Sequence, residues 1–191
     1  NRRGARPGHG PGGGGPAGRS NDELQRRGNT CIVGCMLRFT TNQGYEDIVV
    51  NEVHSILARE GVEVGSFEGS PFGIRGNVLY RHTGDDEELT GLIPGMRSIY
   101  HCVRYLAHTE FESEDFFSEL DSFFAELPVP RLEQASSFRV RCERRGSHPF
   151  HSPDVERKVG GILQGRYGTA VNLEEPDCDF RIDIFDRHLF A

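Results

Sequence analysis

Between Ser137 and Leu163 the hydrophobic period changes from two to 3.6 across one short turn, and this switch constrains the fold more than any other feature of the chain. Phe138, Val140 and Cys142 share one face of a strand, while Arg139, Arg141 and Glu143 share the other. Arg144, Arg145 and Gly146 carry the strand into a turn that holds His148 and His151. Ser152 then starts a helix, with Pro153 at its first position and Asp154 close behind. Val155, Val159, Ile162 and Leu163 face its core, and Tyr167 and Gly168 end it.

The residues before this unit read as a second, separate pattern. Residues 31–40, CIVGCMLRFT, form an apolar run of strand length. Tyr45 to Arg59 read as a helix through Val49, Val53, Ile56 and Leu57, with Glu46 and Asp47 in the first turn and Gly61 as the stop. Strands follow near Val62–Phe67 and Gly76–His82, then a short helix over Asp85–Leu92 and one long strand over Ser98–Thr109. The order β-α-β-β-α-β is the split, ferredoxin-like arrangement. Ser113 is the expected N-cap of a further helix, whose apolar stripe is Phe116, Phe117, Leu120, Phe123, Phe124 and Leu127. Val171–Leu173 and Asp179–Phe185 read as two more strands, and the closing HLFA as the opening of a last one. The expected class is α+β, with a ferredoxin-like domain over 30–110 and a second α/β domain over 111–191.

Residues 1–29 are expected to form a disordered tail, since the first nineteen hold eight glycines and three prolines and almost nothing apolar. There is no signal-peptide core and no apolar run long enough to span a bilayer, so a cytoplasmic location is expected. The five cysteines are scattered and read as small core residues in a reducing compartment. The absent initiator methionine and the abrupt end at Ala191 suggest a piece of a longer protein.

Charge is unevenly placed. The whole chain carries −7, yet residues 131–168 hold eight basic residues against four acidic ones, a local +4. Seven of the eight are arginine, which meets phosphate through a planar fork. The helix opening at Ser152 presents backbone N–H groups and a positive dipole end, which favour an anion. Gly160 and Gly161 sit mid-helix, where each costs about 1 kcal/mol relative to alanine. Either another helix or a sugar-phosphate chain must approach them closely. The cluster as a whole is either a solvated face or a nucleic-acid contact. No catalytic nucleophile motif, metal-ligand spacing or phosphate-binding glycine loop is present, so no catalytic, cofactor or metal residue is assigned.

SFRVRCERRGSHPFHSPDVERKVGGIL followed by VNLEEPDCDFRIDIFDRHLF resembles a THUMP domain, an RNA-binding module of tRNA methyltransferases, 4-thiouridine synthetases, pseudouridine synthases and an adapter for tRNA cytidine acetylation. The segment before it is similar to the ferredoxin-like domain that accompanies THUMP in such enzymes. The resemblance implies tRNA as partner, gripped at its acceptor end and 3′ CCA. It carries RNA contact over to Arg144, Arg145, His148, Phe150, Ser152, Arg157 and Lys158, with Arg139 and Arg141 flanking. Phe150 would either stack on a terminal base or staple the following helix. The wording of the last strands is closest to the guanine-N2 tRNA methyltransferases, for which S-adenosylmethionine and a catalytic domain or subunit beyond residue 191 are expected. The alternatives are a stand-alone adapter for a cytidine acetyltransferase, or a protein–protein module using the acidic helix face of residues 112–126.

Overall fold

The computed structural model describes residues 30–31, 36–84, 86–112 and 115–191. The expected tail, Cys35 and Ser113 lie outside them. Two sheets carry the described residues, and the class is the mixed α and β one expected.

The smaller sheet is antiparallel throughout. It contains β2 (Met36–Thr40), β3 (Ser66–Gly69), β4 (Asn77–Arg81) and β5 (His101–Arg104) in the spatial order β3-β4-β2-β5. Helix α1 (Glu46–Glu60) follows β2 and buries Val49, Val53 and Leu57, as its 3.6-residue spacing requires. Gly61 ends it at φ +70°, where a glycine avoids the Cβ penalty. Helix α2 (Asp86–Leu92) lies between β4 and β5 in the chain, and Leu89 joins Leu37, Phe39, Val78 and Tyr80 in this core.

The larger sheet contains β1 (Thr30–Cys31), β6 (Ala107–Glu110), β7 (Ser137–Arg145), β8 (Ala170–Val171), β9 (Cys178–Phe185) and β10 (His188–Phe190). Its order is β1-β6-β10-β9-β7-β8. β7 runs parallel to both β8 and β9, while the remaining pairs are antiparallel. Helices α3 (Phe116–Glu126), α4 (Pro130–Gln134) and α5 (Ser152–Tyr167) supply the second core, in which Phe116, Phe124, Phe138, Val155, Leu163 and Ile182 are buried. The cap of α3 is Asp115, whose Oδ1 accepts the Ser118 N–H at 3.3 Å.

Two expected strands are each divided between the sheets. The run 31–40 gives β1 to the larger sheet and β2 to the smaller. The run 98–109 breaks at Tyr105 and Leu106 into β5 and β6. There the Tyr105 N–H bonds to the Met36 carbonyl at 2.8 Å, and the next, Leu106 N–H, bonds to the Ala191 carbonyl at 2.9 Å. The backbone thus passes from one sheet's ladder to the other's without leaving the protein interior. Met36, Leu79, Tyr105 and Phe190 form a third buried cluster at this crossing. The strand expected at Val62–Phe67 starts later, at Ser66.

A buried ion pair crosses the same junction. Arg38 of β2, 1% exposed, binds Asp183 of β9, 2% exposed, and also donates to Asn77 Oδ1 at 3.0 Å. Burial pushes the Asp183 carboxyl up, but the Arg38 charge and the hydrogen bonds from Arg181 and Arg38 outweigh it and hold the group below the usual carboxylate range.

His108 of β6 is buried beside His188, with ring nitrogens 3.0 Å apart, and the Phe72 ring stacks on it at 3.6 Å. Burial, with a smaller push from His188, lowers its pKa to about 4. As pH falls below about 6.5 the unfolded chain therefore binds a proton that the folded chain refuses, and stability falls until the folded value is reached. Between pH 7 and pH 5 this removes about 2 kcal/mol of unfolding free energy. Urea titrations at both pH values check it: His108→Gln should lose that much less than the native chain.

Candidate nucleic-acid interface

The parity of β7 divides its arginines. Phe138, Val140, Cys142 and Arg144 point to the helices, whereas Arg139, Arg141, Glu143 and Arg145 point to the side of the smaller sheet. Arg144 donates through Nε to Ser152 Oγ at 3.2 Å, and its guanidinium lies 5.5 Å from the Phe150 ring centre. Arg145 is exposed, with its guanidinium 5.5 Å from the Phe185 ring centre on β9. Neither arginine makes an ion pair among the described residues. The local +4 is therefore split between two faces rather than gathered on one.

The other four basic residues expected at the interface are held by carboxylates. Arg139 and Arg141 both meet Asp179, Arg139 at 2.7 Å, and Arg139 also donates to the Leu173 carbonyl at 3.1 Å. Arg157 reaches Asp154 at 3.4 Å, and Lys158 reaches Asp121 of α3 at 2.6 Å. The Arg141, Arg157 and Lys158 pairs are exposed, so each is worth little and each of these side chains can exchange its partner for a phosphate, whereas Arg139 is more buried. The start of α5 is partly satisfied by the chain itself, because Asp154 Oδ2 accepts the His151 N–H at 3.1 Å. A negative group already sits where a bare helix end was expected.

Phe150 is corrected outright as a base-stacking candidate. It is 5% exposed and stacks on Phe116 at 4.0 Å, with Phe117 edge-on at 5.8 Å. The rings that cover it belong to α3, which precedes β7, and not to the following helix on which a staple was expected. His148 is half-buried, and its Nε2 lies 2.7 Å from the Asp186 carbonyl. Gly146 is required by this turn: at φ +109°, an added Cβ would lie 2.3 Å from Asp186 Oδ1.

Helix packing does not account for the two mid-helix glycines. A Cβ at Gly160 would make an ordinary 3.9 Å contact with Val140, and one at Gly161 would meet nothing within 4 Å. Gly161→Ala should accordingly raise unfolding free energy by about 1 kcal/mol, read from the urea midpoint.

Two cavities lie between the sheets and include residues not picked out from the sequence. The larger, about 660 Å³, is lined by His101, Arg104, Arg131, Arg141 and Arg181 together with Asp177 and Asp179. The smaller, about 330 Å³, is lined by Tyr100, His101, Arg145, Arg181, Asp183 and Phe185, among others. Arg181 binds Glu143 at 2.7 Å and Asp183 at 2.9 Å. Arg181 belongs to the same alternating pattern as Asp179 and Asp183, but its place beside Arg141 depends on the β7–β9 register. Burial pushes the Cys142 thiol up to about 12, so it stays protonated and unreactive at neutral pH. No group of three or more metal-ligating side chains occurs among the described residues.

Comparisons with known proteins agree with this architecture. The THUMP domain model matches residues 96–190. The tRNA (guanine(6)-N2)-methyltransferase of Thermus thermophilus is 36% identical over 154 residues, covering 81% of this chain and 43% of that protein. A tRNA sulfurtransferase of Pseudomonas syringae is 35% identical over 103 residues, covering 52% of this chain and 21% of that protein. The crystal structure of TrmN from Thermus thermophilus superposes with a TM-score of 0.61 at 34% identity, covering 81% of this chain and 43% of that one. The chain thus spans less than half the length of these relatives. With the parallel β7–β9 pair, its helix α5 and the basic turn between them all inside the matched residues, the chain carries a THUMP domain over residues 96–190.

Proposed function

We propose that this chain is the tRNA-binding part of a tRNA-modifying enzyme, gripping the acceptor stem and 3′ CCA end. One observation carries this reading: relatives named for two different chemistries, a methyl transfer and a sulfur transfer, match 81% and 52% of this chain, so the matched stretches overlap. What their names share is tRNA. The residues in common are therefore the ones that hold the RNA, and the chemistry lies in parts that differ.

In this reading the parent protein is a guanine-N2 tRNA methyltransferase of the cytoplasm, supported by the relative matched over 81% of this chain. Its catalytic domain or subunit lies C-terminal to residue 191 and binds S-adenosylmethionine, the methyl donor. None of the interface residues named here is assigned to that cofactor. No helix among the described residues is long and apolar enough to cross a membrane.

The roles follow from exposure and partners. Arg145 meets phosphate directly. Arg144 is pre-oriented by Ser152 and Phe150 and presents its remaining N–H groups at the β7–α5 turn, beside His148. Arg157 and Lys158 exchange Asp154 and Asp121 for phosphates, and Gly161 lets the sugar-phosphate chain approach the helix backbone. Arg139 and Arg141, bridged by Asp179, are flanking contacts. The −7 charge of the chain opposes indiscriminate binding.

Fluorescence anisotropy with labelled tRNA and an unrelated hairpin of equal length, at two salt concentrations, tests the proposal. Selective binding is expected, with log K falling by about 0.7 per decade of salt for each phosphate contacted on a single strand. Equal affinity for the unrelated hairpin, or no binding to either, would contradict it.

A further inference from the structure

We propose that the smaller cleft between the two sheets, walled by Tyr100 and Arg145, holds one unstacked nucleotide of the bound RNA. This rests on the reading that the chain binds tRNA and adds where an unpaired base goes.

Tyr100 carries the most exposed aromatic ring among the described residues, at 59%. It is nevertheless fixed. Its hydroxyl lies 2.7 Å from Asn42 Oδ1, and its backbone N–H bonds to the Thr40 carbonyl at 2.7 Å. An exposed ring held at both ends is a ready stacking platform, and its ordering cost is met before any ligand arrives. On the other side, Arg145 lines the cleft with its guanidinium 5.5 Å from the Phe185 ring centre and without an ion-pair partner among the described residues. The cleft's carboxylates are already committed, since Glu143 and Asp183 both bind Arg181. The positive charge that remains for a ligand is that of Arg145.

His101 completes the set. Its Nε2 lies 4.0 Å from Glu143, and burial, aided by the nearby Arg181 charge, lowers its pKa below the ordinary histidine value. The imidazole is therefore neutral at pH 7 and offers one donor and one acceptor, as a base edge requires. A flat ring, a flat cation and a neutral donor–acceptor pair around about 330 Å³ match a single nucleotide. A duplex does not enter a cleft of that volume. Unpaired RNA ends are where bases are available to stack on protein rings.

The experiment compares two acceptor-stem hairpins, one blunt and one with a four-nucleotide single-stranded 3′ extension. Each is titrated into the native chain, Tyr100→Ala and Tyr100→Phe, with thermal melting to confirm that both exposed-site variants fold. The extension should tighten binding to the native chain about tenfold. Tyr100→Ala should erase that gain and Tyr100→Phe should keep it. An extension effect that survives in Tyr100→Ala, or its absence in the native chain while both hairpins bind, would overturn the cleft assignment alone. Failure of the native chain to bind either hairpin would overturn the tRNA reading and the cleft with it. Free AMP or CMP, added as competitor, distinguishes the source of the nucleotide: cleft binding of either with no extension effect would also overturn the proposal.

Discussion

Asp183→Asn should lower the unfolding free energy by about 3–5 kcal/mol, because it leaves a buried guanidinium without its counter-charge. Arg38 is 1% exposed, and burial already pulls its pKa down against the Asp183 charge that raises it. Asparagine can accept a hydrogen bond but carries no charge, and the Asn77 amide oxygen is the other side-chain acceptor recorded for Arg38. The pH dependence has a fixed sign. The folded Asp183 pKa lies below the unfolded value, so its contribution is present above about pH 4 and is lost as pH falls through the folded value. That acid-side loss should disappear in Asp183→Asn. Removing both charges, in Arg38→Met with Asp183→Leu, should cost less than the single change, since no buried Arg38 charge is then stranded and Arg181 keeps Glu143. Urea denaturation at pH 7 provides the comparison. A single-variant loss under about 1 kcal/mol would mean that water reaches the pair. The pair ties β2 to β9 and so sets the cleft between the sheets.

Phe150→Ala should cost about 3–5 kcal/mol, the usual range for deleting a buried aromatic ring. Its ring is stacked on Phe116 and touches Phe117, so truncation opens a cavity between α3 and the β7–α5 turn. Arg144 also loses the ring beneath its guanidinium. Phe150→Leu fills most of the space and should be better tolerated. Affinity for tRNA, counted per folded molecule, should hold in Phe150→Leu. A variant that kept its stability but lost RNA binding would restore the base-stacking role that burial argues against.

Local periodicity carried much of the fold. The helix read at Tyr45–Arg59 is Glu46–Glu60, closed by Gly61 as expected, and the helix starting at Ser152 starts there. The crossings were not legible. Ser98–Thr109 reads as one run because apolar residues recur through both of its halves, and nothing local marks the point where hydrogen bonding passes from Met36 to Ala191. The interface was half legible. Strand parity alone sets Arg144 and Arg145 on opposite faces, yet their adjacency in the chain suggested one patch. The partners that neutralise Arg139 and Arg141 lie on β9, some forty residues away, and only the parallel register brings Asp179 to them. Tyr100 and His101 carried no motif, and their importance arises from the second sheet lying beside β7 and β9.

The most direct test is hydrogen–deuterium exchange of the chain with and without tRNA. Slowed exchange is expected in residues 98–104 and 144–151, at the cleft and the basic turn, with α1 unchanged. Protection confined to α1, or none in either segment while tRNA is bound, would contradict the account.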